Sequence, residues 1–332
     1  MLTPNFSYEP DTALLPRAAW LYYIGGLTQE EVAQRLGLHR TRVVRLLAEA
    51  RDKGLVSITI HHEAARELET ERTLCTRYGL DFCLATPPIG FEPADIPGPA
   101  QGLIARRAVG SAAASFLGGK LRSGERVTVG VSWGRTMEQM ALHLAGISNP
   151  QARFVSLMGS LTHNSASNPF EVVQALAVRT GGEGHFLPVP FVADSPADRA
   201  VLLSQRTVAA ALDLAASANF YLMSVGELTE TSVLRQQAML SAEELASARA
   251  LGAVCDTLGR LFDRHGRQVP HALAERTLAV DIEALRGRDV VLLAAGFDKT
   301  EAIAALLRSG YVRGLIIDGD TARVLASRAE ED

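Results

Sequence analysis

The stretch LTQEEVAQRLGLHRTRVVRLLAEARDK, Leu27 to Lys53, followed by the alternating run LVSITI, Leu55 to Ile60, carries the spacing of a winged helix-turn-helix. Thr28 stands three residues before Glu31 and just ahead of an apolar run, the T-x-x-E capping box that starts a helix. Val32 and Leu36 lie one turn apart on one face, Ala33 is small enough to let a second helix cross closely, and Gly37 suits the left-handed residue that ends the helix. From Arg40 onward Val43, Leu46, Leu47 and Ala50 recur at helical spacing. That leaves Arg40, Thr41, Arg42, Val44 and Arg45 on the outer face.

An arginine-rich helix face is usually just solvated. This one follows a capped helix and a glycine turn and precedes a run of wing length, which is the setting of a recognition helix. A guanidinium fork holds guanine O6 and N7 or clamps a phosphate, and a good bidentate base contact gives roughly 1–3 kcal/mol of discrimination. Arg40, Thr41, Arg42 and Arg45 are therefore the expected contacts to double-stranded operator DNA. Thr28 and Gln29 would point backbone amides at phosphate, although Thr28 also has plain capping to do.

The 332 residues leave room for about two domains, and 47% hydrophobic residues fill a sizeable core, which excludes global disorder. The formal net charge of −4 is weak, and positive charge collects between Arg40 and Lys53, so nucleic-acid contact is expected only in the N-terminal part. Cys75, Cys83 and Cys255 are widely spaced, with no C-x-x-C and no histidine at ligand spacing. Neither a zinc site nor a disulfide framework is expected, and no cofactor. No run approaches the roughly 18 apolar residues of a membrane span, and the N-terminus lacks a signal pattern. A cytoplasmic location is expected.

Leu14 to Ile24 reads as a leading helix, with Trp20 and Tyr23 as core candidates. His61 to Tyr78 has the sparse apolar positions of a linker helix that could pair with a second subunit. Pro87 to Gly102 reads as a long loop, because its prolines remove donors and its glycines add freedom. Beyond it, Arg126 to Val131, Ala152 to Met158, Phe220 to Val225, Val290 to Ala295 and Gly314 to Ile317 are short branched runs beside helical segments. They predict a mostly parallel sheet covered on both faces. The expected fold class is α/β: a winged helix-turn-helix over 1–60, a linker helix over 61–80, and a Rossmann-like three-layer effector domain over 81–332.

In such sheets ligands bind beyond the carboxyl ends of the strands. After Val131 comes Ser132-Trp133-Gly134-Arg135-Thr136, with an arginine at a helix entrance. After Ala295 comes Gly296-Phe297-Asp298-Lys299-Thr300-Glu301, where Asp298 and Glu301 look like a cap and Lys299 falls in the first turn. Cations at helix starts oppose the dipole by about 0.3–1 kcal/mol when exposed, and a bound anion would reverse that sign. Both side chains could also extend into water, but two such turns at matching topological places favour a ligand site.

Gly130 to Gly134 also fits G-x-S-x-G, the nucleophile elbow of serine hydrolases, with Asp256 or Asp263 and then His265 or His271 downstream. No H-G-G-G-type oxyanion segment precedes the serine, and an arginine after the elbow glycine suits anion holding better than ester binding.

Taken in order, the helix-turn-helix stretch, VGVSWGRTM, LMGS, LPVPFVADSP, GAVCDTLGRLFD and AAGFDKTEAIAALLRSGYVRGLIIDGDTA resemble the SorC family of bacterial sugar-responsive transcriptional regulators over almost the whole chain. The resemblance implies an effector domain similar to glucosamine-6-phosphate deaminase and ribose-5-phosphate isomerase, a homotetramer built as a dimer of dimers, and a sugar, sugar phosphate or polyol as effector. It assigns effector contacts to Ser132, Trp133, Gly134, Arg135, Thr136, Gly159, Asp256, Gly296 and Lys299. Cys255, Ser160, Ile317 and Gly319 depart from the family pattern near the implied pocket, so effector identity transfers least.

The serious alternative is an isomerase- or deaminase-like enzyme, which needs a base beside a sugar carbon and often a histidine. Asp256, Asp194 and Glu171 could serve as bases, yet no histidine falls in the implied ligand turns. A regulator, which binds without turnover, is the expected class, and no catalytic residue is assigned.

Overall fold

The computed structural model describes residues 11–56, 68–90, 99–161 and 168–328. The chain divides into two compact units, Met1–Thr59 and Ile60–Asp332.

In the first unit α1 (Asp11–Ala19) runs into a π turn over Trp20–Ile24, α2 spans Gln29–Leu36 and α3 spans Arg40–Asp52. The capping box forms: the Glu31 amide donates to Thr28 Oγ1 at 3.3 Å and the Thr28 amide to Glu31 Oε2 at 2.7 Å. Gly37 closes α2 at φ 67°, leaving a short turn before α3. Val32, Ala33, Val43, Leu46, Leu47 and Ala50 are buried together with Leu15, Ala18 and Ala19 of α1. Trp20 is not part of this core; it is 65% exposed. Ala18 and Ala19 take the inward positions where α1 meets α3, and small side chains let the helices approach, whereas the π turn leaves Trp20 facing water. Tyr23 is half-buried against the core. Leu55 and Val56 form no strand, and the rest of the expected wing lies outside the described residues.

The second unit begins with α4 (Leu68–Tyr78), β1 (Phe82–Ala85), α5 (Pro99–Leu121), β2 (Val127–Val131), α6 (Arg135–His143), β3 (Ala152–Ser160), α7 (Pro169–Thr180) and β4 (Glu183–Pro190). It continues with α8 (Pro196–Leu203), α9 (Arg206–Ala216), β5 (Phe220–Met223), β6 (Gly226–Glu227), α10 (Val233–Gln236), α11 (Ala242–Ala250), β7 (Ala253–Thr257), β8 (Arg260–Asp263) and β9 (Gln268–Val269). It ends with α12 (Ala272–Arg276), β10 (Val290–Ala294), α13 (Thr300–Arg308), β11 (Gly314–Ile317) and α14 (Gly319–Ser327).

Among the described residues the main sheet has seven strands in the order β1-β11-β10-β5-β2-β3-β4, and every pairing is parallel. Alternate residues serve opposite layers. Leu222, Val291 and Leu293 pack with Val109, Ala113 and Leu117 of α5, while Tyr221, Met223 and Val290 face a core that includes Ala215 of α9. Three layers result. At about 25 cal/mol per Å² of apolar surface, such burial on both faces is the main source of stability.

The five strand runs read from the sequence all appear, and two edge strands join them, β1 and β4. Pro188 and Pro190 mask β4 as a strand, but an edge tolerates a residue that cannot donate. A second sheet of β6-β7-β8-β9 is antiparallel and was not foreseen. In the stretch read as a linker, the described part is α4, which packs on β1 and α14 and buries Leu74 in the second unit's core. The loop read over 87–102 ends earlier, because α5 starts at Pro99, where a helix's first turn accepts proline; residues 91–98 lie outside the described residues.

Candidate functional site

After β2 the chain adds β3 and β4 on one side of the sheet; with β5 it returns to β2's other side and builds outward through β10 and β11. This reversal between β2 and β5 is the switch point at which open α/β sheets bind ligands. The carboxyl ends of β2, β5 and β10 feed a cleft of about 710 Å³ including its mouth.

Ser132, Trp133, Gly134, Arg135, Thr136, Asp256 and Lys299 line this cleft. The turns after β2 and β10 are built alike: Gly134 at φ 132° and Gly296 at φ 104° stand at the N-cap of the helical turn that follows each, conformations that side chains resist. Arg135 and Lys299 leave these turns toward one acid that sequence reasoning missed. Glu227 Oε2 lies 2.9 Å from Lys299 Nζ, and Glu227 Oε1 lies 3.7 Å from an Arg135 terminal nitrogen. Glu227 follows β5, the strand between β2 and β10, so its turn sits between the other two. The signal was available: a carboxyl-end rule applied to every strand points at the turn after FYLM.

That turn is held from both sides. The Ser224 amide donates to Ser132 Oγ at 3.1 Å, Thr257 Oγ1 donates to the Ser224 carbonyl at 3.0 Å, and Lys299 Nζ donates to the Val225 carbonyl at 3.1 Å. A Cβ at Gly226 would collide with Asp256 Oδ1, so glycine there lets β6 lie against the acid on β7.

Burial pushes the Asp256 carboxyl up to about 7, with the neighbouring Glu227 charge adding to the rise and Lys299 opposing it. Burial also acts to raise Glu227, but the Lys299 ammonium, hydrogen bonding and Arg135 outweigh it and hold that carboxyl below its ordinary value. Arg106, reaching the cleft from α5, is lowered by burial and then by nearby Arg135. Ser232 also lines the cleft; its hydroxyl is buried, makes no hydrogen bond among the described residues, and does not cap α10 although Ser232 holds the N-cap position.

Two expected contacts fall elsewhere. Gly159 sits at the irregular β3–β4 pairing, where a Cβ would strike the Pro190 carbonyl; its glycine serves a close backbone crossing and not the cleft. Gly296 does not line the cleft, and its amide donates to Asp318 Oδ2 at 2.9 Å. The expected cap by Asp298 and Glu301 is not formed either. Asp318 replaces it, holding Gly296 with one oxygen and the Thr321 amide of α14 with the other.

A serine-hydrolase centre is not assembled. Ser132 is buried, its oxygen accepts from Ser224, and among the described residues no histidine lines the cleft. The His265 amide donates to Asp263, and His271 caps α12. Of the three possible bases only Asp256 reaches the cleft; Asp194 and Glu171 do not line it.

In the first unit Arg40, Thr41, Arg42, Val44 and Arg45 are exposed on one side of α3, opposite the buried Val43, Leu46, Leu47 and Ala50. Thr28 is the N-cap of α2 and Gln29 its first residue. Among the described residues, no helix is long and apolar enough to cross a membrane.

Residues 62–327 match the family described as "Putative sugar-binding domain". The erythritol catabolism regulatory protein EryD of Brucella abortus is 35% identical, covering 96% of this chain and 97% of that protein. The deoxyribonucleoside regulator of Bacillus subtilis is 28% identical over 93% and 96% of the two chains. In fold, the chain resembles the crystal structure of the full-length sorbitol operon regulator SorC of Klebsiella pneumoniae, with a TM-score of 0.68 and 23% identity, covering 96% of this chain and 99% of that one. The family match and these relatives make the chain a transcriptional regulator that carries a sugar-binding domain. The chain belongs to the SorC family of regulators with this sugar-binding domain.

Proposed function

We propose that the chain controls an operon for the breakdown of a carbohydrate or polyol, reading operator DNA with Arg40, Thr41, Arg42 and Arg45 while Thr28 and Gln29 meet phosphate. A sugar, sugar phosphate or polyol bound between Ser132–Thr136, Glu227, Asp256 and Lys299 sets that grip. The observation that carries this reading is the convergence of Arg135 and Lys299 on Glu227 inside the switch-point cleft. The erythritol and sorbitol in its relatives' names give the first compounds to try.

The chain acts without turnover, as a cytoplasmic homotetramer arranged as a dimer of dimers. Effector binding favours one arrangement of recognition helices over another, and couplings of this kind are typically 1–3 kcal/mol, about 5–150-fold in DNA affinity. Asp256, poised near neutrality in the cleft, is the feature that would favour an enzyme instead. Gel-shift titrations of polyol-operon promoters with and without a panel of polyols, sugars and sugar phosphates test the reading. It requires one compound to change DNA affinity and to be recovered unaltered; consumption of that compound would establish the enzyme.

A further inference from the structure

We infer that Glu227 is a charge filter, and that the effector is an uncharged polyhydroxylated molecule, a polyol or unphosphorylated sugar, not a phosphate ester. This rests on the cleft being the effector site, as proposed above.

Of the three cations that line the cleft, the two at the strand turns are already paired, and the third, Arg106, lies in the field of Asp298, Glu227 and Glu138. Glu227 takes Lys299 with one oxygen and Arg135 with the other, and Lys299 is tied further to the Val225 carbonyl. Both members of the Lys299–Glu227 pair are sheltered, at 17% and 12% side-chain exposure, so water screens them little. A phosphate entering beside Lys299 would meet the Glu227 carboxylate at close range, with Asp256 behind it, and would have to break an ion pair before making its own.

An uncharged hydroxyl faces no such conflict. It accepts from Arg135 or Lys299 and donates to Glu227 or Asp256 without breaking their pairing, because each hydroxyl is donor and acceptor at once. The cleft also holds a hydroxyl in want of a partner: Ser232 Oγ is buried and makes no hydrogen bond among the described residues. A buried polar group left unsatisfied destabilises the fold, and a ligand hydroxyl relieves that. Trp133, Leu234 and Leu258 supply apolar wall for the C–H edges of a carbon chain. Paired charges, an unpartnered hydroxyl and apolar wall together suit a molecule rich in hydroxyls and without net charge.

The test compares the full chain with Glu227→Gln, which keeps the side chain's size, and with the double variant Glu227→Gln/Lys299→Met. Isothermal titration uses erythritol, ribitol and sorbitol as neutral probes, and inorganic phosphate, erythritol 4-phosphate and sorbitol 6-phosphate as anionic ones. We expect the unmodified chain to bind a neutral probe at least tenfold more tightly than any anionic one. Glu227→Gln should bind inorganic phosphate at least tenfold more tightly than the unmodified chain does, and the double variant should lose that gain. A phosphate ester bound tenfold more tightly than its parent polyol by the unmodified chain overturns the inference. So does a Glu227→Gln chain with unchanged phosphate affinity, or a gain that persists without Lys299. Failure of the cleft reading looks different: a polyol would still alter promoter binding by the double variant as it does for the unmodified chain.

Discussion

Lys299 and Glu227 meet at 2.9 Å although one follows β10 and the other follows β5. Their strands are neighbours in the sheet, and the pair closes one wall of the cleft. Because both side chains are mostly sheltered, the pair is a liability as well as a wall: removing one member strands the other.

Lys299→Met should therefore abolish the effector response while leaving DNA binding in place. It should also destabilise the second unit by a few kcal/mol, below the about 3–5 kcal/mol of a fully buried pair because some exposure remains. Urea unfolding and gel shifts on the same preparation check both parts. Normal induction would move the effector site elsewhere.

On α3, Arg42→Ala and Arg45→Ala should each weaken operator binding, by roughly 1–3 kcal/mol where the lost contact is to a base. A lost phosphate contact would instead flatten the salt dependence of binding by about one charge. Effector affinity should stay unchanged in either variant. Binding isotherms at several salt concentrations separate the cases, and unaltered operator affinity in both variants would refute the helix assignment.

Asp256 ties stability to pH. Its folded carboxyl titrates at about 7, against an ordinary value of 3.8. Between those values the folded chain keeps a proton that the unfolded chain has released, so the neutral acid's stabilising contribution is lost as pH rises toward 7. Asp256→Asn should remove that decline. Urea midpoints at pH 5 and pH 8 should converge in the variant and stay apart in the unmodified chain.

At the crossing of α5 and α6, a Cβ on Gly110 would come within 2.5 Å of Gln139 Cβ and 2.7 Å of the Gln139 carbonyl carbon. Backbone cannot yield as a flexible side chain does, so Gly110→Ala should cost about 1–3 kcal/mol. A lowered urea midpoint with an unchanged slope is the expected signature.

Part of this architecture is written locally. The capping box at Thr28, the stop at Gly37 and the inward face of α3 were legible because each depends on residues within a few positions of one another. Trp20 was not: bulk suggested a core position, but two alanines at a helix crossing bury their backbone more closely than an indole could. The edge strand β4 hid behind its prolines, and β1, at the start of the stretch assigned to the effector domain, was not read as a strand.

In the site, Ser132 to Thr136 and Lys299 were visible from the amino-acid order because strand-to-helix turns carry their own signature of glycine, polar residue and helix start. The partner of those cations was not, since nothing around Glu227 marks it apart from its place after a four-residue strand. Short-range chemistry in the chain determined the caps, the helix faces and the strands, where covalent neighbours supply the hydrogen bonds and the periodicity. The order of strands in the sheet decided which distant charges share a cleft, because burial brings turns together by their place in the sheet and not by their place in the chain.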